Sequence, residues 1–230
     1  MSDFEGKEVD SNLLKKFEEE VWCKVPHLED TKIVNPTPLV DLTEDLKECA
    51  KTVYKLDLDG KDLKVYGKFD SALLSGSIKV RAAIHIIHNA ILSGKLKKDQ
   101  TVIEATSGNF GIALGQLSKL GVNVVALVSR KLQEGVFKEL RNENIRIMDL
   151  DMDICPAPGM ENKASELAAK ATAGNIRSQL SEIGFDPKIF DKNIQEIETL
   201  LAKQDIINLA RFLAEIYDLF CPKQYDNELN

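Results

Sequence analysis

The chain has 230 residues, enough for one large domain or two small ones with a real core. Hydrophobic residues make up 43% and charged residues 29%, ordinary globular proportions, and no stretch approaches the ~18 apolar residues of a membrane span. A net charge of −7 excludes a broad nucleic-acid or anionic-membrane surface, which needs clustered Lys and Arg, yet leaves room for a small anionic ligand in a local pocket. Acidic residues and no apolar run at Met1–Asp10 are unlike a secretory signal. Cys23, Cys49, Cys155 and Cys221 are scattered, with no C-x-x-C pair and no His at ligand spacing. Neither a disulfide framework nor a metal site is expected, and isolated thiols fit a reducing cytoplasm.

Residues 1–34 read as a polar, partly helical lead-in. Asn35-Pro36-Thr37-Pro38-Leu39 is stiff and extended, because a residue before proline avoids the α region. Thr52 to Leu58 and Leu63 to Phe69 alternate apolar and polar residues about the turn pair Asp59-Gly60, which predicts a hairpin. From Ile78 the positions Ala82, Ala83, Ile86, Ile87, Ala90 and Ile91 recur at helical spacing, with Gly94 as the stop. Thr101 to Glu104 predicts a short buried strand, Ile112 to Leu120 a helix closed by Gly121, and Val122 to Val128 a parallel core strand. A helix near Val136–Arg141 and a strand near Ile145–Leu150 follow. This alternation predicts an α/β fold with a doubly wound, mostly parallel sheet and right-handed crossovers over residues 35–160.

After Leu150 the pattern changes. Cys155 to Gly159 reads as a loop and Glu161 to Ala171 as helix. Residues 161–220 form a helical segment, with no strand signal from Asn175 to Phe220 and its amphipathic helices broken at Pro187, and 221–230 begin a returning core segment. The simplest expectation for residues 175–220 is a solvated helical insertion, with a lid or partner surface as the alternative. His85 and His88, three apart on one helix, have no third ligand at suitable spacing and read as ordinary helix residues. Trp22 reads as a core or contact residue.

Two segments together carry chemistry: Ser75-Gly76-Ser77-Ile78-Lys79-Val80-Arg81, opening a helix, and Glu104-Ala105-Thr106-Ser107-Gly108-Asn109-Phe110-Gly111, between a strand and a helix. Taken singly, the first is a surface lysine and the second a turn with an N-cap. Taken together, they are one helix and one strand apart, which in a parallel sheet puts both loops at the carboxyl edge where α/β ligand sites form. A helix N-terminus there offers free amides to a carboxylate or phosphate. The glycines near Asn109 allow close backbone approach, and a lysine held in an adjoining pocket is competent to form an imine.

These segments resemble the cysteine synthase/cystathionine β-synthase family of fold-type II pyridoxal-phosphate enzymes. Asn35 to Leu39 resembles its opening motif, Lys68-Phe69-Asp70 its strand ending in an acid, Gly76-Ser77-Ile78-Lys79 its lysine motif, and Glu104 to Gly111 its Glu-x-Thr-Ser-Gly-Asn-x-Gly signature. Gln224-Tyr225-Asp226-Asn227 with Asn230 is similar to a later motif. The resemblance implies that pyridoxal 5′-phosphate is the cofactor, bound covalently by Lys79, which also moves the substrate α-proton. It implies that Asn109 binds the cofactor's 3′ oxygen, and that Thr106, Ser107, Gly108 and Asn109, completed by Gln224, hold the substrate α-carboxylate. The implied activity is β-replacement or β-elimination on a small amino acid of the serine or cysteine type, by a cytoplasmic homodimer.

Three departures qualify that expectation. Ala72-Leu73-Leu74-Ser75 and Val80 differ from the family's usual approach to its lysine, which puts the substrate in doubt. The helical stretch 175–220 has no counterpart of that length. No glycine-rich phosphate loop occurs, since Gly135, Gly159, Gly174 and Gly184 are isolated. The chain is therefore expected to be part of a longer enzyme, holding cofactor poorly alone and leaving one apolar sheet face open to self-association. The alternative is a non-catalytic binding module of the same fold. A nucleotide-binding domain is disfavoured because no G-x-G-x-x-G follows a strand.

Overall fold

The computed structural model describes residues 8–29, 32–129, 132–150 and 166–222. In chain order they form α1 (Ser11–Glu20), β1 (His27–Glu29), β2 (Lys32–Val34), β3 (Leu39–Asp41), α2 (Thr43–Tyr54), β4 (Tyr66–Lys68), α3 (Lys79–Leu92), β5 (Thr101–Ala105), α4 (Asn109–Ser118), β6 (Asn123–Val128), α5 (Glu134–Asn142) and β7 (Arg146–Asp149). Four helices follow: α6 (Glu166–Glu182), α7 (Pro187–Lys192), α8 (Ile194–Ala202) and α9 (Ile206–Tyr217).

The centre is a parallel sheet of order β5-β6-β7, with Ile103 opposite Val125 and Leu127 opposite Met148. Successive strand side chains point to opposite faces. Val102, Val124, Ala126 and Val128 join one core with residues of α1, α3, α4 and α5, while Ile103, Ala105, Val125, Leu127 and Met148 join a second. The second core is filled by Ala169, Ala173, Ile176 and Leu180 of α6, Phe190 of α7, Ile197 and Leu201 of α8, and Leu209 and Leu213 of α9. Burying each such leucine, isoleucine or phenylalanine stabilises the fold by about 1.5–3 kcal/mol. The segment expected to be a solvated insertion is thus the cover of the sheet's second face, and the open face predicted from the sequence is closed. The apolar residues spaced along these helices find their burial against that face.

Other differences have local causes. The predicted hairpin is replaced by α2, whose start carries Glu44 and Asp45 where the helix dipole favours acids, and by an antiparallel pairing of β3 with β4. The Asp59-Gly60 turn forms, with Lys61 N–H donating to Leu58 O at 3.2 Å, but it joins no strands. Pro187 opens α7 rather than merely breaking a helix, with Asp186 capping it by accepting from Lys188 N–H. Phe220 returns to the sheet, bridging Val102 in parallel and exchanging hydrogen bonds with Ile103 and Thr101 at 2.9 and 3.0 Å. That strand contact was invisible as a pattern because it is a single residue. Cys155 and the loop to Gly159 lie outside the described residues.

The N-terminal segment is more than a lead-in. Leu13 and Phe17 of α1 are fully buried on the α3 side of the sheet. Beside them the chain's single tryptophan gathers its three histidines: Trp22 stacks on His88 at 4.0 Å, meets His85 edge-on at 4.7 Å and His27 at 4.6 Å. His88 Nε2 lies 3.0 Å from Glu18 Oε1, and His27 Nε2 lies 3.0 Å from Glu29 Oε1. Burial holds the His85 imidazole below its ordinary range, the neighbouring His27, His88 and Arg81 add to this, and the Pro26 carbonyl opposes it. The docked ring therefore favours its neutral form. Above the ordinary imidazole value of about 6.5 His85 does not disfavour docking. Below it, an undocked His85 takes up a proton that the docked ring resists, so docking weakens as the pH falls. Trp22 emission should accordingly shift to the red on acidification between about pH 8 and pH 5, and His85→Gln should flatten the change. An emission spectrum constant over that range would contradict it.

Candidate active site

The Thr106–Asn109 turn sits where β5 gives way to α4. Thr106 N–H donates to Leu127 O at 3.0 Å, carrying the β5–β6 pairing one residue past the strand. Its side chain is 3% exposed. Its Oγ1 accepts the Gly108 N–H at 3.1 Å and the Gly111 N–H at 3.0 Å. Gly108 is the N-cap position of α4 and has no side chain with which to cap, so Thr106 does that work from two residues upstream. Gly108 adopts φ +135°, a backbone conformation reserved in practice for glycine.

Helix α5 braces this turn. A Cβ on Gly108 would stand 2.7 Å from Val136 Cγ1. One on Gly111 would stand 2.7 Å from Thr106 Cγ2 and 3.1 Å from Leu140 Cδ2, and one on Gly115 would collide with Glu143. Glycines at 108, 111 and 115 thus face residues 136, 140 and 143, so that α5 and its C-terminal end lie close along α4. The close backbone approach expected of a ligand is, at these glycines, the approach of α5 and of Thr106. Gln116 Nε2 and Lys119 Nζ both reach Glu143 Oε2, at 3.3 and 3.0 Å, and fasten the far end.

What the turn presents outward is polar and uncommitted. Ser107 and Asn109 are exposed, and neither their amides nor their side chains bond to the described residues. With the positive end of the α4 dipole behind them they suit an anion such as a carboxylate.

Lys79 is the first residue of α3, which packs against α4. Because α3 leads into β5 and α4 leads out of it, the connectivity carries both first turns toward the carboxyl edge of the sheet. The strand before Lys79 is not a neighbour of β5, however; β4 belongs to the separate ribbon with β3. Lys79 is exposed, so the described residues build no pocket around it, and its ammonium has no hydrogen-bond partner among them. Its N–H donates to Ser77 Oγ at 3.3 Å. The first turn of α3 holds Lys79 and Arg81 and no acid. Each cation there opposes the helix dipole at a cost of about 0.3–1 kcal/mol. Four residues before Lys79, Ser75 Oγ is buried with no hydrogen-bond partner.

Gln224 lies outside the described residues, as do Tyr225, Asn227 and Asn230. Among the described residues no cluster of three or more His, Cys, Asp or Glu could hold a metal, and no helix is long and apolar enough to cross a membrane. Sequence reasoning missed the role of Arg81, although that residue closes the lysine motif, and missed the brace from α5, which no local pattern announces.

An α/β domain with a parallel sheet, an anion-receptive helix start at its carboxyl edge and a lysine opening the adjacent helix defines a class of small-molecule-binding enzyme domain. More narrowly, the chain belongs to the pyridoxal-phosphate dependent enzyme family, whose pattern matches residues 31–184. It is 32% identical over 126 residues to a cysteine synthase B of Campylobacter jejuni, covering 53% of this chain and 40% of that protein. It is 35% identical over 104 residues to a cysteine synthase of Aquifex aeolicus, covering 45% of this chain and 29% of that one. A solved hydrogen sulfide-producing enzyme from Fusobacterium nucleatum is 31% identical over 38% of this chain and 26% of that chain, with a TM-score of 0.36, a superposition too partial to argue from. The chain thus spans well under half the length of these relatives.

The residues present fit the reactive end of that cofactor: an exposed primary amine at Lys79, a hydroxyl and a carboxamide at Ser107 and Asn109, and an orphaned buried hydroxyl at Ser75. The turn itself is testable as a mechanical unit. Thr106→Val keeps the shape but strands two amides, and should lower stability by about 1–3 kcal/mol, read as a reduced denaturation midpoint. An unchanged midpoint would show that Thr106 does not hold the turn.

Proposed function

We propose that these 230 residues carry the lysine and the substrate-carboxylate turn of a pyridoxal-phosphate-dependent enzyme acting by β-replacement or β-elimination on a serine- or cysteine-type amino acid. The observation that carries this reading is the 106–109 turn, an exposed helix start with uncommitted donors at Ser107 and Asn109. The names of the cysteine synthase relatives support the substrate class.

When bound, the cofactor supplies an electron sink for the charge left at the substrate Cα, so that a β-substituent can depart and a nucleophile can take its place. Lys79 Nζ holds the cofactor covalently and carries the proton from Cα. The Asn109 carboxamide donates to the cofactor's 3′ oxygen. The Ser107 hydroxyl and the amides of Ser107 and Asn109 bind the α-carboxylate, aided by the α4 dipole. Thr106 and Gly108 support the grip from beneath: the Thr106 N–H pairs with Leu127 O and its Oγ1 accepts the Gly108 and Gly111 amides, which leaves the Thr106 hydroxyl proton as its one group to offer the carboxylate. Gln224 completes the grip.

The whole enzyme, on this reading, is a cytoplasmic homodimer. Exposed apolar side chains concentrate on α2, β3, β4 and the approach to α3, including Leu39, Val53, Tyr54, Tyr66 and Phe69, which supports a further protein surface packing there. The rival reading, a folded module that binds no cofactor, rests on the lack of a glycine-rich phosphate loop in the sequence. Visible absorbance of the complete enzyme mixed with pyridoxal phosphate separates the two. Borohydride reduction followed by peptide mapping should place the label on Lys79, and a different principal lysine would end the assignment. Ser107→Ala should weaken amino-acid binding by about 1–3 kcal/mol while cofactor content holds, and an unchanged spectral titration with amino acids would remove Ser107 from the grip.

A further inference from the structure

Arg81 joins three stretches of chain that are far apart in sequence. Its Nη2 donates to Asp70 Oδ1 at 3.0 Å and to Thr37 Oγ1 at 2.7 Å. Thr37 is 6% exposed, and its carbonyl in turn accepts from Lys68 Nζ at 3.2 Å. Phe69 N–H donates to Pro38 O at 2.9 Å, so the residues on either side of Asp70 and Thr37 are already paired by backbone. Arg81 therefore anchors the first turn of α3 to a fixed platform made by the 37–38 segment and the end of β4.

Two consequences follow for Lys79. The Asp70–Arg81 pair closes the ends of the 71–80 segment, whose flanks are tied by Leu73 and Val80 in the core and by Leu73 N–H to Asp70 O at 3.1 Å. Between them Ser75, Gly76 and Ser77 rest on Gly76 N–H to Leu73 O at 2.7 Å, Val80 N–H to Ser77 O at 3.3 Å and Lys79 N–H to Ser77 Oγ at 3.3 Å. Residues two apart on a helix lie about 200° apart around its axis, so fastening Arg81 to the platform sets the rotation of the turn that bears Lys79 on another side. Helix stability gives no reason for a cation at this position, since it opposes the dipole, and Asp70 and Thr37 offset that cost by receiving it.

We propose that Arg81, held by Asp70 and Thr37, is the positioning residue that orients Lys79 for covalent attachment of a pyridoxal phosphate aldehyde. The inference rests on the reading of Lys79 given above, and it assigns Arg81 no contact with substrate or cofactor.

The test uses the complete enzyme, pyridoxal 5′-phosphate and borohydride, with the share of label on Lys79 relative to the other lysines read by peptide mapping, and amide exchange over residues 71–80 measured in parallel. Arg81→Ala should lower the Lys79 share about tenfold, the equivalent of one lost hydrogen bond to a charged group, and should speed exchange across 71–80 while the sheet amides of β5 and β6 stay protected. Asp70→Asn, a milder change that keeps the side-chain shape, should move both readouts the same way. The exchanged pair Asp70→Arg with Arg81→Asp should restore the Lys79 share, a rescue that general loosening of the fold would not produce. Preferential labelling of Lys79 that survives both single variants overturns the role of Arg81 alone. Indiscriminate labelling of lysines in the unaltered chain overturns the assignment of Lys79, and this inference with it.

Discussion

A parallel sheet is apolar on both faces and has to be covered on both, and the rest of this structure follows from how that is done. Strand β6 is paired on each edge and sandwiched between two cores, so all of its side chains from Val124 to Val128 are buried. The crossover helices α4 and α5, together with α3 and α1, take one face; the four helices after Leu150 take the other. With the sheet so clamped, its carboxyl edge is a rigid place from which to project a short turn. The functional candidates sit at that edge because it is where the strands stop and helix starts with unmet amides begin.

The two candidate loops are supported in different ways. The 106–109 turn is held from within by a buried threonine and from the side by α5, and its outward polar groups are left over once that support is in place. The lysine loop is held at its flanks by Leu73 and Val80 in the core and across them by one guanidinium that spans three segments. It also accepts two local penalties, cations at the wrong end of a helix dipole and a buried hydroxyl without a partner. Conflicts of that kind between local rules and the observed structure gather at functional positions, because there the chain answers to chemistry as well as to folding.

Much of the central fold was legible in the sequence because it is written at short range. The alternation of helical and strand periods from Ile78 to Leu150, with Gly94 and Gly121 as stops, matches α3 through β7 to within a few residues. The failures occurred where long-range packing decides. Residues 43–54 are a helix although their neighbours read as a hairpin, and α6 to α9 are a cover although their sequence shows only amphipathic stripes with no record of what they face. Phe220 joins the sheet as one residue, too short to leave a period. At the site, the Thr-Ser-Gly-Asn turn and the helix-opening lysine stood out by residue type, whereas Arg81 and the α5 brace depend on partners between 11 and 44 positions away and could be seen only once the chain was folded.

The glycine face of α4 changes how variation in this region is to be read. Gly108, Gly111 and Gly115 keep α5 close whatever the turn binds, and any side chain at those positions would force the two apart. Selection for folding and selection for chemistry therefore fall on the same few residues. Retention of this part of the signature in a related chain therefore reports a stable sheet as much as it reports chemistry, whereas the exposed side chains of Lys79, Ser107 and Asn109 are free of that constraint.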